Sequence, residues 1–209
     1  GPSEHLSKEE VLKAIPTLKT DGLCGGVIYH DGQFDDSRLA INLVQSLVEN
    51  KGVALNYMKC TGLLKTPDGM VVGIKAKDVE NGKEYEIASK VVISATGVWA
   101  DDIMKMDNPD AKKTIVPSQG IHIIVDKEFL QSKDAIMIPH TDDGRVLFAV
   151  PFHDKVIIGT TDTSIDHPTI EPVPKEEEVE FVINHFNRYV HTGLQRSDVK
   201  SVFAGLRPL

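Results

Sequence analysis

The chain has 209 residues, of which 41% are hydrophobic, and it carries a formal net charge of −8 at pH 7. That length allows one large domain or two small ones with a sizeable core, while the acidic balance excludes a nucleic-acid surface built from clustered Lys and Arg. No apolar run approaches the roughly 18 to 20 residues that span a bilayer, so we expect no membrane-spanning segment.

The N-terminal part predicts a helix, a strand and a longer helix. Ser7 and Glu10 form a capping box that predicts a short helix, and residues 26–30 have the composition of a strand. Asp35 or Asp36 then caps a helix whose apolar residues recur at helical spacing: Leu39, Leu43, Val44, Leu47 and Val48. We expect this helix to pack on a sheet.

The next segments predict a β excursion followed by a junction between a strand and a helix. Three strands separated by turns are predicted at residues 54–64, 70–78 and 85–87. Val91 begins a predicted buried strand that ends in Ala95-Thr96-Gly97, before a helix that carries Trp99. A three-stranded meander in front of such a strand is the layout of larger flavoprotein nucleotide domains, where it covers a parallel sheet.

From Thr114 onward the pattern predicts an antiparallel sheet and a further helix. Four strands are predicted, at residues 121–125, 135–138, 146–150 and 156–159. Lys175 to about Tyr189 predicts a helix whose N-terminal glutamates suit the helix dipole, and we expect those glutamates on a solvated face.

Four features are candidates for a binding site, and each also has a purely structural explanation. Ala95-Thr96-Gly97 would let a cofactor approach the strand end, or it serves a tight turn only. Arg207, just before a proline, would grip a carboxylate or phosphate, or form a surface ion pair. His122 is an acid, base or anion donor, or a hydrogen-bonded core histidine. Residues 159–162 end a strand with hydroxyls and a carboxylate, as binding sites do, but also make an ordinary turn.

Other common kinds of site are not indicated. The two cysteines, Cys24 and Cys60, and the eight histidines lack metal-binding spacing, so we predict no metal. So few cysteines are typical of reduced thiols in a cytoplasmic protein. The helix start at the N-terminus and the apolar, strand-like C-terminus favour an internal segment of a longer protein.

Six segments between Asp31 and Leu209 carry a family resemblance that spans the chain from about Leu6 to Leu209: DGQFDDSRLAI, SATGVWADDI, SQGIHIIV, DGRVLFAVPF, IIGTTDT and FAGLRPL. In this order they resemble successive signatures of the FAD-dependent, respiratory glycerol-3-phosphate dehydrogenases, whose superfamily includes D-amino-acid and glycine oxidases. IGTTDT and the Gly-x-Arg-Pro-Leu ending are the specific part, because ATGVWAD alone indicates only the superfamily.

The resemblance implies a flavoprotein of mixed α/β and α+β class. Residues 32–106 would form part of an FAD-binding three-layer (ββα) domain, and residues 1–31 and 107–209 a substrate-binding cap domain with a largely antiparallel sheet and helices. The implied reaction oxidises glycerol 3-phosphate to dihydroxyacetone phosphate by hydride transfer to FAD, and the electrons pass to quinone.

The resemblance also implies a cofactor site. Cys60 matches the strand residue whose backbone meets the adenine. Ala95, Thr96 and Gly97 match the strand end near the phosphates and ribose of FAD, and we assign Trp99, on the helix that follows, to the same site.

The implied catalytic residues lie in the second half of the chain. Arg207 matches the arginine that orients the substrate over the flavin. His122 matches the histidine of a Gly-Ser-His segment in the family, in which Ile121 replaces the serine here.

Two segments of the family do not occur in this sequence. They are the glycine-rich G-x-G-x-x-G loop, which would bind the pyrophosphate at a helix N-terminus, and a Gly-Gly-Lys-Leu-Thr-Thr-Tyr-Arg segment with a phosphate-binding lysine. We therefore expect the chain alone to bind FAD weakly or not at all and to be inactive.

Several alternatives stay open. A glycerol-3-phosphate oxidase would pass the electrons to oxygen, and an amine or amino-acid oxidase would act on another substrate. From a different class, a non-catalytic β-rich binding module is the alternative. The resemblance also implies that the full-length protein lies peripherally on the inner face of the cytoplasmic membrane, and unpaired strand edges favour a homodimer.

Overall fold

The computed structural model describes residues 2–209 as two units. The larger unit comprises the chain up to His30 together with Ile115–Leu209, and the smaller unit is Asp31–Thr114. The helices and strands, in chain order, are β1 (Glu4–Ser7), α1 (Lys8–Ala14), β2 (Gly25–Ile28), α2 (Asp36–Glu49), β3 (Met58–Lys65), β4 (Val71–Asp78), β5 (Glu84–Ala88), α3 (Ala100–Asp107), β6 (Pro117–Asp126), β7 (Ile136–Ile138), β8 (Leu147–Phe152), β9 (Lys155–Gly159), β10 (Thr163–Ser164), α4 (Glu176–Tyr189) and β11 (Ser201–Pro208).

The larger unit is built around a six-stranded antiparallel sheet, which confirms the predicted antiparallel half of the chain. Its strands follow the order β10-β6-β9-β8-β7, and β11 also pairs with β6. Strand β6 is therefore central, with β11 along one edge and β9 and β10 in succession along the other. Strands β1 and β2 form a separate antiparallel pair beside helix α1, whose capping box of Ser7 and Glu10 is present as predicted.

The core lies between one face of this sheet and helix α4. Strand β6 alternates, so that Ile121, Ile123 and Val125 are fully buried on one face. Helix α4 places its apolar side chains at a spacing of three or four residues, which makes one face of the helix: Val179, Val182, Ile183 and Phe186. This packing leaves the opposite face of β6 only partly covered.

Strands β9 and β10 are interrupted by a bulge along β6. Gly159 pairs with His122, and Thr163 pairs with Gln119. Three residues, Thr160–Asp162, therefore stand opposite only two, Gly120 and Ile121, which is the two-against-one pattern of a β-bulge with one extra residue. The bulge bends this edge of the sheet away from regular pairing.

The smaller unit contains helix α2 and the antiparallel meander β3-β4-β5. The meander confirms the three predicted strands. Its Asn81-Gly82 turn has Gly82 at φ +78°, a conformation that glycine adopts without steric cost. Asp35 caps α2, because its Oδ1 accepts a hydrogen bond from the Arg38 amide at 3.0 Å.

Two predictions for the smaller unit are wrong. The predicted buried strand from Val91 forms no ladder, and Val91 and Ile93 are 71% and 84% exposed. Helix α2 buries no residue, so its apolar stripe does not pack on a sheet within residues 2–209. The physical reason is the same for both, because a strand needs a hydrogen-bonding partner and an apolar helix face needs a surface to cover it.

Candidate functional site

Arg207 and His122 share one face of the six-stranded sheet. In the antiparallel register of β11 with β6, Arg207 lies opposite Ser118, and Phe203 lies opposite His122. Residues directly opposite each other point to the same face, and that face alternates with the buried one that carries Ile121. The two predicted catalytic residues thus occupy the open face of the sheet, with their strand positions roughly 13 Å apart at about 3.3 Å per residue.

The guanidinium of Arg207 is held by the bulge on the far edge of β6. Its Nη2 donates to the Thr161 carbonyl at 2.5 Å and lies 3.5 Å from Asp162 Oδ1, and Asp162 Oδ1 also accepts a hydrogen bond from the Ser118 hydroxyl. Both of these Arg207 contacts use Nη2, and the side chain stays 41% exposed. An arginine has five N–H donors, so Nη1 and Nε remain to bind an anion.

Gly120 provides the path by which Arg207 crosses β6. A Cβ at this position would lie 2.5 Å from Thr160 Oγ1, 2.7 Å from Arg207 Nη2 and 2.8 Å from the Thr161 carbonyl oxygen. No real Cβ tolerates such distances, so any other residue would displace either the guanidinium or the bulge. The Gly-x-His part of the sequence pattern therefore has a steric role here.

The ring of His122 is fixed between an aromatic side chain and a glycine. It stacks on Phe203, with 5.1 Å between the ring centroids and an angle of 14° between the planes. On β9, a Cβ at Gly159 would lie 2.4 Å from His122 Cδ2, so the ring occupies the space above that glycine. His122 is half-buried.

Ile121 does not alter this face. Its side chain is fully buried on the core side, and its amide donates to Thr161 Oγ1 at 3.0 Å. The isoleucine at position 121 therefore packs beneath the sheet and leaves the surface that carries His122 without a further side chain.

Glu178 is the residue that sequence reasoning missed. The expectation of a solvated glutamate cluster holds for Glu176 and Glu177, which are exposed, but it is wrong for Glu178, which is only 4% exposed. Burial alone raises the pKa of Glu178, but hydrogen bonds from the Lys175 amide, Thr163, Gln119 and Thr161 outweigh it and lower the pKa. No local signal marked Glu178, because Lys175 at the N-cap has no side-chain acceptor and so does not complete a capping-box motif in the sequence.

The predicted cofactor residues lie in the smaller unit. Ala95 and Gly97 are exposed, Gly97 has φ +53°, and nothing lies within 4 Å of the place where its Cβ would stand. This turn therefore exposes backbone beside open space, as close approach of a nucleotide requires. Cys60 and Trp99 are half-buried in the same unit. The predicted site residues thus form two groups, one on each unit.

A shallow depression of about 480 Å³ lies away from Arg207. It is lined by Glu128, Phe129, Gln131, Thr192, Gly193, Gln195 and Asp198. Phe129 lies three residues beyond the last residue of β6, whereas Arg207 stands opposite the second residue of that strand. Within residues 2–209, no three His, Cys, Asp or Glu side chains gather closely enough to hold a metal ion, and no helix has the length and apolarity needed to cross a membrane.

The chain belongs to the FAD dependent oxidoreductase family, which it matches over residues 1–209. Among solved structures, it is similar to the glycerol-3-phosphate dehydrogenase of Bacillus halodurans, described as complexed with FAD, with a TM-score of 0.90 and 33% identity over 98% of this chain and 41% of that one.

Curated relatives have the same kind of name. The chain is 34% identical over 216 residues to the mitochondrial glycerol-3-phosphate dehydrogenase of Schizosaccharomyces pombe, covering 99% of this chain and 33% of that protein. The corresponding protein of Homo sapiens is 36% identical over 211 residues, covering 98% of this chain and 29% of that protein. The chain thus spans about a third of the length of these relatives.

More distant structures share the fold. The L-alpha-glycerophosphate oxidase of Mycoplasma pneumoniae, with FAD bound, has a TM-score of 0.77 at 20% identity, over 99% of this chain and 53% of that one. At this identity the likeness concerns the fold alone, so it does not distinguish between oxidase and dehydrogenase.

Proposed function

We propose that this chain functions within a longer FAD-dependent glycerol-3-phosphate dehydrogenase that oxidises glycerol 3-phosphate to dihydroxyacetone phosphate. The observation that carries the proposal is the guanidinium of Arg207, held at Nη2 on an open sheet face in a chain of the FAD dependent oxidoreductase family. The names of the relatives support this substrate, and the exposed apolar stripe of α2 supports a longer protein that covers it.

The chain's own residues would bind and orient the substrate. Arg207 would use Nη1 and Nε for two charge-assisted hydrogen bonds to an oxygen-rich anion, which fixes the position of the carbon to be oxidised. His122 would donate to, or accept from, a substrate hydroxyl from its fixed place between Phe203 and Gly159.

The proposed cofactor is FAD, which when bound supplies the hydride acceptor. Ala95, Thr96 and Gly97 would offer exposed backbone to its adenine-nucleotide end, with Cys60 and Trp99 contributing the neighbouring strand and helix. The open space beside Gly97 fits this role. Because the sequence has no G-x-G-x-x-G loop, the chain alone would bind FAD weakly or not at all. A titration of the 209-residue chain that gives micromolar or tighter affinity would contradict this.

The proposed acceptor is quinone, which implies peripheral contact with a membrane. We propose the inner face of the cytoplasmic membrane for this contact, and a homodimer as the assembly. The relatives' names instead include the word mitochondrial. Comparing quinone reduction with oxygen consumption in the longer protein distinguishes a dehydrogenase from an oxidase.

The substrate is tested by anaerobic reduction of the flavin in the longer protein. Glycerol 3-phosphate should bleach the flavin absorbance within seconds, whereas glycine, sarcosine and proline at equal concentration should not. If an amine substrate bleached the flavin and glycerol 3-phosphate did not, the proposal would give way to an amine oxidase.

A further inference from the structure

Glu178 lies buried beneath the open face of the sheet and has every acceptor site engaged. Its Oε1 accepts from the hydroxyls of Thr161 at 3.0 Å and Thr163 at 2.8 Å. Its Oε2 accepts from Gln119 Nε2 at 2.8 Å and from the Lys175 amide at 3.0 Å. An ionised carboxylate accepts only, so it obliges all four partners to donate their hydrogens to it.

Thr161 transmits this constraint from one face of the sheet to the other. Because its hydroxyl donates to Glu178, the lone pairs of Oγ1 are free to accept from the Ile121 amide at 3.0 Å. The residue is only 2% exposed, so few alternative positions are open to it. Its carbonyl oxygen, on the other side, accepts from Arg207 Nη2.

The bulge needs side-chain hydrogen bonds such as those to the Glu178 carboxylate to fix its position. Thr160–Asp162 cannot follow the regular ladder, since three residues face two on β6. Side-chain hydrogen bonds must therefore fix their position. On the core side, the hydroxyls of Thr161 and Thr163 both donate to Glu178.

We propose that Glu178 is a positioning residue for Arg207: it fixes the bulge Thr160–Asp162 from the core side, and the Thr161 carbonyl then holds the guanidinium on the open face. Glu178 itself touches neither substrate nor cofactor. The effect of Glu178 on substrate binding rests on the proposed function, whereas its effect on the position of Arg207 does not.

The hold on Arg207 is tested without reference to activity. The chain has five arginines, Arg38, Arg145, Arg188, Arg196 and Arg207, so their side-chain Nε–H signals can be resolved by NMR in the 209-residue chain. Glu178→Gln turns one acceptor into a donor that faces donors already present, and it should shift the Arg207 signal and speed rotation of the Nη2 group about its Cζ–Nη2 bond about tenfold. Glu177→Gln, the same change on an exposed neighbour, should leave the signal unchanged.

A second pair of variants decides the question if Glu178→Gln does not fold. Thr161→Val removes the hydroxyl that joins Glu178 to the bulge, whereas Thr161→Ser keeps it. Thr161→Val should release Arg207 in the same way, and Thr161→Ser should retain the wild-type signal. An unchanged Arg207 signal in both Glu178→Gln and Thr161→Val would overturn the proposal.

The consequence for substrate is measured in the longer protein. Glu178→Gln should raise KM for glycerol 3-phosphate about tenfold with unchanged flavin content. In a protein that already carries Arg207→Ala, the same change should raise KM by less than about twofold, because the two residues act on one contact. Equal effects in both backgrounds would mean a merely structural role and would contradict the inference. If Arg207 is released by NMR but KM stays constant, the positioning role stands and the substrate role of Arg207 in the proposed function fails.

Discussion

Arg207 Nη2 donates a hydrogen bond to the carbonyl oxygen of Thr161 at 2.5 Å, and it reaches that oxygen across Gly120. This contact joins the two edges of β6, with β11 on one side and the bulge on the other. It explains why a glycine, a threonine and an arginine that lie far apart in the sequence belong to one local structure.

Gly120→Ala should disturb the site directly. The new Cβ would meet three atoms at 2.5–2.8 Å, so the free energy of unfolding should fall by about 1–3 kcal/mol and the Arg207 signal should move. Gly205→Ala is the matched control. Gly205 lies on β11 directly opposite Gly120, yet nothing lies within 4 Å of the place where its Cβ would stand. Denaturant unfolding with equal losses for both variants would refute the steric role of Gly120.

Ile121→Ser introduces the serine that the resemblance implies at this position and should cost stability without changing the open face. Ile121 is fully buried, so we expect a loss of about 2–4 kcal/mol from lost burial and a cavity. Ile170→Ser, at a position that is 86% exposed, should change the free energy of unfolding by less than about 0.5 kcal/mol. A stabilising effect of Ile121→Ser would show that residue 121 does not face the core.

The carboxylate of Glu178 should make stability depend on pH. Its pKa in the folded chain is below the ordinary value of 4.5, so the unfolded chain binds more protons in acid. The stabilisation by Glu178 is therefore fully present above about pH 5 and is lost as the pH falls through the folded pKa.

The measurement is urea unfolding of the wild type and of Glu178→Gln at pH 7 and near pH 3. The wild type should be more stable by about 1–3 kcal/mol at pH 7, and the difference should shrink in acid. Glu177→Gln should differ little from the wild type at either pH, since that carboxylate makes only an exposed contact with Lys175. A difference that stays constant with pH would contradict an ionised Glu178.

Local patterns predicted the parts of the fold that local interactions determine. The capping box of Ser7 and Glu10 and the Asn81-Gly82 turn need only a few neighbouring residues, and both formed as expected. The segment from Val91 has a strand-like composition, but a strand exists only with a partner, and sequence pattern carries no information about whether one is present.

The candidate site was predictable in part. Arg207 and His122 were predicted as catalytic residues from their motifs, and their role stays a prediction, while the register of β6 and β11 brings them to one face. Glu177 and Glu178 are neighbours with the same local sequence, yet one is exposed and the other is buried. What separates them is contact with Thr161 and Gln119, which only the tertiary fold brings together.

Leu43 should behave differently in the isolated chain and in the longer protein. It is 62% exposed on the apolar stripe of α2, so Leu43→Lys should change the free energy of unfolding of the 209-residue chain by less than about 0.5 kcal/mol. In the longer protein, where we expect the stripe to be covered, the same change should cost about 2–5 kcal/mol. Gln45→Lys, on the other side of the helix, should be tolerated in both. Equal tolerance of Leu43→Lys would argue against a covered α2.

The most direct test of the account is steady-state turnover of glycerol 3-phosphate by the longer protein with Arg207→Ala, measured beside Arg196→Ala. Arg196 is an exposed arginine whose partner is the surface residue Glu176, so its loss should leave kcat/KM within about twofold of the wild type. Arg207→Ala should lower kcat/KM about 100-fold or more with FAD still bound, because truncating one partner of a charged contact costs about 2–5 kcal/mol. Turnover by Arg207→Ala equal to that of Arg196→Ala would contradict the assignment of the open sheet face as the substrate site.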